Sequence, residues 1–68
     1  MSKIIGKYCD SIIINSNKED DVINRLIEHA RGCGNIDRES VSEFIETLTV
    51  RGYYMCGYGS IKYSIEYK

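Results

Sequence analysis

Hydrophobic and polar residues alternate along the last part of the chain. Every second position from 61 to 67 is apolar or aromatic, which is typical of a β-strand that covers a core with one face. Tyr53–Cys56 is a shorter run that favours a strand, and the Gly57-Tyr58-Gly59 segment between the two runs favours a turn. The sequence therefore predicts a C-terminal β-hairpin.

The first part of the chain is also rich in residues that favour strands. Residues 3 to 15 include five isoleucines and Tyr8, and β-branched and aromatic side chains suit a pleated, half-buried surface. Cys9-Asp10-Ser11 can turn the chain between two short strands. One long bent strand is the alternative.

A first helix is predicted after Ser16. Ser16 and Glu19 have the spacing of a capping box, and the carboxylates at 19, 20 and 21 would lie near the positive end of the helix dipole. Gly32 and Gly34 can end the helix. The apolar positions form one stripe, made of Val22, Ile23, Leu26, Ile27 and Ala30.

A second helix is predicted after Asp37, which can cap it while Ile36 and Val41 form a hydrophobic staple. Gly52 ends the pattern. The apolar stripe of this helix consists of Val41, Phe44, Ile45 and Leu48.

The element order is thus β(β)ααββ, which predicts one compact domain over residues 1–68. Two amphipathic helices each need an apolar surface to cover, and one face of a mainly antiparallel sheet supplies it. We therefore predict a two-layer α+β fold with both helices packed on the sheet.

Residues 37 to 67 also resemble a known family. A helix ending in Leu48-Thr49-Val50-Arg51-Gly52, followed by a hairpin, looks like the recognition helix and wing of a winged-helix domain. A winged-helix-like fold is the alternative, and the resemblance implies nucleic-acid binding. The outward residues of this helix are mainly glutamates, whereas a helix that reads the major groove presents cationic or amide side chains.

Composition and charge are typical of a small globular domain and not of a membrane-spanning protein. The chain has 68 residues, is 43% hydrophobic and 28% charged, and has a formal net charge of −1. A chain of this length buries only about 60% of its unfolded surface, so we expect marginal stability. No apolar run is long enough to span a membrane, and the N-terminus does not resemble a secretory signal. We therefore expect a cytoplasmic protein without a membrane partner.

Few residues suggest chemistry. Cys9, Cys33 and Cys56 have no paired spacing and are expected to be free thiols. His29 and Cys33 are four residues apart, but the glycines beside Cys33 would interrupt a shared helix face. The two glycine-rich segments do not follow a strand and open a helix, as a phosphate site requires. We predict no catalytic residue, no metal and no cofactor, and hence no enzyme activity.

Two sets of side chains favour binding to another protein. Glu39, Glu43 and Glu46 fall on one side of the second helix, away from its apolar stripe. Tyr54 and Tyr58 lie near the hairpin tip, where burial is difficult, and exposed tyrosines are common in protein interfaces. These five residues are the predicted partner-binding site.

The function expected from the sequence is a small protein-binding module that inhibits or adapts a larger protein. By analogy with other short chains, it could be encoded by a phage and directed at a host enzyme or defence system. The alternative is a winged-helix-like regulator that contacts nucleic-acid phosphates through four cationic residues, and a homo-oligomer is a further alternative. Those four residues are Arg38, Arg51, Lys62 and Lys68.

Overall fold

Four strands and two helices follow one another in the order that the sequence predicts. The computed structural model describes residues 3–68. Within this range no helix is long and apolar enough to cross a membrane. The elements are β1 (Ile4–Tyr8), β2 (Ser11–Ser16), α1 (Glu19–Gly32), a 3₁₀ turn (Arg38–Ser40), α2 (Val41–Arg51), β3 (Tyr53–Cys56) and β4 (Ile61–Tyr67).

The strands form a single antiparallel sheet in the spatial order β2-β1-β4-β3. The N-terminal segment is therefore a hairpin and not one bent strand, with Cys9 in its turn at a φ of 53°. The two hairpins join through β1 and β4, which are the inner strands. The edges of the sheet are β2 and β3.

Both helices pack on the same face of this sheet. Residues of α1, α2, β1 and β4 belong to one buried cluster, so the predicted two-layer α+β fold is confirmed. Phe44, Leu26 and Tyr63 are fully buried within it. The cluster comprises Ile4, Val22, Ile23, Leu26, Ala30, Ile36, Phe44, Leu48, Tyr63 and Ile65.

The fold departs from the winged-helix-like alternative at its N-terminus, where the hairpin of β1 and β2 stands in place of a helix. Strand β4 lies between β1 and β3 and pairs with β1 from Ile4↔Tyr67 to Tyr8↔Tyr63. Helix α2 buries Phe44 and Leu48 against the sheet. The C-terminal hairpin is therefore half of the central sheet.

The ends of the helices match the predictions in part. The capping box is wrong: α1 begins at Glu19, and the Ser16 hydroxyl instead accepts a hydrogen bond from the Lys18 amide at 3.1 Å. Asp37 is a cap, but of the 3₁₀ turn that leads into α2: its Oδ1 accepts a hydrogen bond from the Ser40 amide at 2.9 Å, whereas α2 itself begins without a side-chain cap. This bond holds the pKa of Asp37 below its ordinary value. Gly52 ends α2 in the left-handed conformation, with a φ of 83°.

Strand β2 contains a bulge at Ile13. Gly6 pairs with Ile14 and Lys7 pairs with Ile12, so Ile13 has no partner on β1. As a result, Ile13 and Ile14 both pack against the core, while Ile12 points to the other face and is 57% exposed. The bulge therefore makes the β2 edge irregular.

Candidate functional site

A groove lies between α2 and β3. Its volume is about 560 Å³, and it contains three of the five residues in the predicted partner-binding site, namely Glu43, Glu46 and Tyr54. We call it the α2–β3 groove, and it is lined by Glu43, Glu46, Thr47, Val50, Arg51, Tyr53, Tyr54 and Met55.

The groove combines exposed apolar side chains with charged ones. Val50 is 76% exposed and Met55 is 50% exposed, although apolar side chains of this size are usually buried. Glu43, Glu46 and Arg51 supply charged groups around them. An apolar patch with charged groups at its rim is typical of a surface that contacts another protein.

Tyr54 connects the groove to the core. Its ring packs edge-to-face on Phe44, with 4.9 Å between the ring centroids. Burial raises the pKa of the Tyr54 phenol, and the negative charge of Glu43 adds to the effect. Tyr54 is thus half-buried and positioned by α2, whereas the sequence suggested an exposed side chain.

The remaining two predicted residues lie outside the groove. Tyr58 is at the tip of the β3–β4 turn, where it is fully exposed and has a φ of 59°. Glu39 is in the 3₁₀ turn before α2. The structure therefore brings together Glu43, Glu46 and Tyr54, and it separates Tyr58 and Glu39 from them.

The groove runs beside an open edge of the sheet. The Gly52 carbonyl accepts a hydrogen bond from the Ile65 amide at 2.9 Å. Because backbone groups alternate in direction along an antiparallel strand, Tyr54 and Cys56 also face β4, while Tyr53 and Met55 turn their backbone N–H and C=O groups to the edge. The β3 edge can therefore accept another strand.

The face of the sheet opposite the helices is also uncovered. Its inner strands present Lys3 and Lys7 from β1 and its extension, and Lys62 and Lys68 from β4 and its extension. A depression of about 490 Å³ is lined by Lys7, Tyr53 and Lys62, among other residues. We call this surface the open sheet face, and its other side chains include Ile5, Ile12, Met55, Ser64 and Glu66.

Charge is divided between the two sides of the molecule. Residues 17 to 52, which form the helical layer, contain eight of the ten carboxylates and five of the nine cationic residues. The other four cationic residues are the lysines of the open sheet face. The four cationic residues of the nucleic-acid alternative are consequently separated, with Arg38 and Arg51 on the helical layer and Lys62 and Lys68 on the sheet.

A polar cluster surrounds His29 near the end of α1. Nδ1 of His29 is 2.9 Å from the Tyr63 hydroxyl, which also accepts a hydrogen bond from Nδ2 of Asn35 at 2.9 Å. The Tyr8 and His29 rings contact each other in a tilted arrangement, with 4.6 Å between their centroids and 46° between their planes. Sγ of Cys33 lies 3.9 Å from both nitrogens of His29. The cluster ties the end of α1 and the following loop to β4.

His29 and Cys33 are the side chains of metal-ligating type in this cluster. No group of three or more metal-ligating side chains is present within residues 3–68. The cysteines in the same range are free, and burial raises the pKa of the Cys56 thiol. The His29 nitrogen nearest to the core is engaged by a phenol. The arrangement is therefore best explained as a support for the buried Tyr63 ring.

Tyr63→Phe is expected to destabilise the protein by about 1–3 kcal/mol, because it leaves the part-buried Asn35 amide without its acceptor. Tyr67→Phe is the matched control: it removes a hydroxyl that bonds to Glu19 at 3.0 Å on the surface, and we expect a much smaller loss. Urea unfolding followed by circular dichroism measures both. Equal midpoints for the two variants would contradict the structural role of the cluster.

Comparison with protein-family models, with curated proteins and with solved structures gives no match to this chain.

Proposed function

We propose that this protein is a binding module that holds an extended segment of a larger protein against the β3 edge and the α2–β3 groove, and thereby inhibits or adapts that protein. The observation that carries the proposal is the open β3 edge beside exposed apolar side chains of the groove. Val50, Tyr53 and Met55 are the exposed apolar groups nearest to this edge.

Strand addition explains why the two features lie together. An added strand gains affinity from main-chain hydrogen bonds, here with Tyr53 and Met55, and gains specificity from alternate side chains that enter neighbouring pockets. The α2–β3 groove supplies such a pocket next to Val50. The opposite edge is less suitable, because the bulge at Ile13 disturbs the spacing of its hydrogen-bonding groups.

Charge indicates which segment fits. Glu43 and Glu46 place two carboxylates in the groove against the single guanidinium of Arg51. A partner segment with alternating apolar and cationic residues would be complementary to this arrangement. The proposed partner therefore contributes a β-strand with lysine or arginine side chains directed towards α2.

The test compares proteins captured by the wild type with those captured by Val50→Asp. We expect capture to be lost in this variant, because a charge replaces an exposed apolar group in the groove. Thr49→Asp is the matched control, since Thr49 is exposed on the same turn of α2 and does not line the groove. We expect this control to capture the same proteins as the wild type.

A purified partner allows a direct measurement at the edge. Binding should slow hydrogen exchange of the Tyr53 and Met55 amides, because strand addition engages them. The proposal fails if Val50→Asp captures the same proteins as the wild type, or if those amides remain unprotected in the complex. A second copy of the chain could instead occupy the β3 edge. Light scattering of the free protein would then give the mass of a dimer.

A further inference from the structure

We propose that the open sheet face is a second binding surface, which adjoins the groove at Tyr53 and Met55, and that it takes single-stranded nucleic acid. Four of the nine cationic residues belong to this face, although they come from the two ends of the sequence. The surface exists only because β1 and β4 are neighbours in the sheet.

The lysines form two pairs at opposite ends of the inner strands. Lys3 and Lys68 exchange backbone hydrogen bonds at 3.2 and 2.8 Å, so they lie directly opposite each other. Lys7 and Lys62 lie at the other end, where both line the depression. Lys7 is four positions after Lys3, which corresponds to about 13 Å along a strand. The two pairs can therefore contact successive parts of one phosphate backbone.

A tyrosine ring lies beside the second pair. The ammonium group of Lys62 is 5.4 Å from the centroid of the Tyr53 ring. A phosphate bound to Lys62 would consequently place its base near an aromatic surface, and stacking of bases on such rings supports binding of single strands. Ser64 lies opposite Tyr53 on β4 and adds a hydroxyl to the same depression.

Two features favour a single strand over a duplex. The face is a sheet surface with no helix on it, so it offers no element that could enter the major groove. Stacking on Tyr53 requires an unpaired base. The acidic helical layer lies on the other side of the sheet, so its carboxylates would disfavour nucleic acid there and restrict binding to the open sheet face.

Two carboxylates, Glu66 and Asp10, line the same depression and moderate the positive charge of this face. Glu66 forms an ion pair with Lys7 at 2.5 Å, and this contact lowers the pKa of the Glu66 carboxyl. Lys7 is therefore partly neutralised in the free protein. Nucleic-acid binding would replace the carboxylate by phosphate, which makes Glu66→Gln an informative variant: it should strengthen binding.

The experiment measures fluorescence anisotropy of a labelled ten-nucleotide oligothymidine against salt concentration. Four phosphate contacts predict a slope of about −3 for log K against log salt, since each contact to a single strand contributes about −0.7. Lys62→Ala should reduce the magnitude of the slope by about 0.7. Tyr53→Leu should weaken binding about tenfold without changing the slope, because it removes stacking and no charge.

Arg38→Ala is the matched control, since it removes one positive charge from the helical layer. It should leave oligothymidine binding unchanged, and circular dichroism checks that every variant is folded. No binding at low salt, equal loss in Arg38→Ala, or a preference for duplex DNA would overturn the proposal. The proposal would also be overturned if polyglutamate bound as tightly as oligothymidine and if Tyr53→Leu did not change its affinity. The face would then bind an acidic protein.

The two surfaces can be tested separately. Val50→Asp alters the α2–β3 groove and should not affect oligothymidine binding, since Val50 does not line the depression of the open sheet face. Lys62→Ala should not affect protein capture. Protein capture therefore tests the proposed function, and oligothymidine binding tests the second surface. A failure of one measurement does not affect the other proposal.

Discussion

Phe44→Ala is expected to leave most of the chain unfolded. Phe44 is fully buried, and its ring packs edge-to-face on Tyr54 and on Tyr63, with centroid separations of 4.9 and 5.5 Å. Truncation of a buried phenylalanine costs about 3–5 kcal/mol, which is comparable with the whole stability that a chain of this length can reach. Urea unfolding followed by circular dichroism measures the loss.

Phe44→Leu is the control for this prediction. Leucine keeps much of the buried volume and loses the aromatic contacts, so this variant should fold and be less stable than the wild type. It should also loosen Tyr54, which would show as faster hydrogen exchange in β3. A Phe44→Ala protein with a wild-type urea midpoint would contradict the position of Phe44 in the core.

Gly6→Ala is also expected to destabilise the protein, because α1 passes close to β1 at this residue. A Cβ atom at position 6 would lie 2.7 Å from Cγ2 of Ile14 and 3.0 Å from Cγ1 of Val22. Both neighbours are β-branched and stiff, so the backbone must shift to make room. We expect a loss of about 1–3 kcal/mol.

Gly32→Ala provides the comparison for Gly6→Ala. A Cβ atom at Gly32 would meet no atom within 4 Å, and Gly32 is the last residue of α1. Alanine should therefore leave stability unchanged or raise it slightly, because it favours the helix. Thermal unfolding of the two variants checks the difference. Similar melting temperatures would show that α1 does not approach β1 closely at Gly6.

Local patterns were sufficient to predict most elements of this fold. The alternation over 61 to 67 and the apolar stripes of the two helices arise because each element buries one of its faces. Such burial can be predicted from the sequence pattern alone. Helix starts were harder to predict, because a serine three residues before an acidic first turn can cap the helix or can bond to a nearby amide outside it. Ser16 does the second, since its hydroxyl accepts a hydrogen bond from the Lys18 amide.

The candidate sites depend on contacts between distant residues, and this limited their prediction. Helical spacing placed Glu43 and Glu46 on one side of α2, but the position of β3 beside them follows from the tertiary packing of Tyr54 on Phe44. The spacing of Lys3 and Lys7, which puts them on one face of a strand, can be read from the sequence. The pairing of β1 with β4, which brings these lysines close to Lys62 and Lys68, could not be predicted from the sequence. Pairing between distant strands leaves no local signal.

The pairing of β1 with β4 also has a consequence for synthesis on the ribosome. Its nearest pair, Tyr8↔Tyr63, closes a loop that contains β2, β3 and both helices. The entropy of closing so long a loop must be lost before the inner strands stabilise each other, which slows folding. The sheet cannot be completed until β4 has left the exit tunnel, so the segment from β1 to β3 must remain without its complete core, and exposed to chaperones and proteases, until that point.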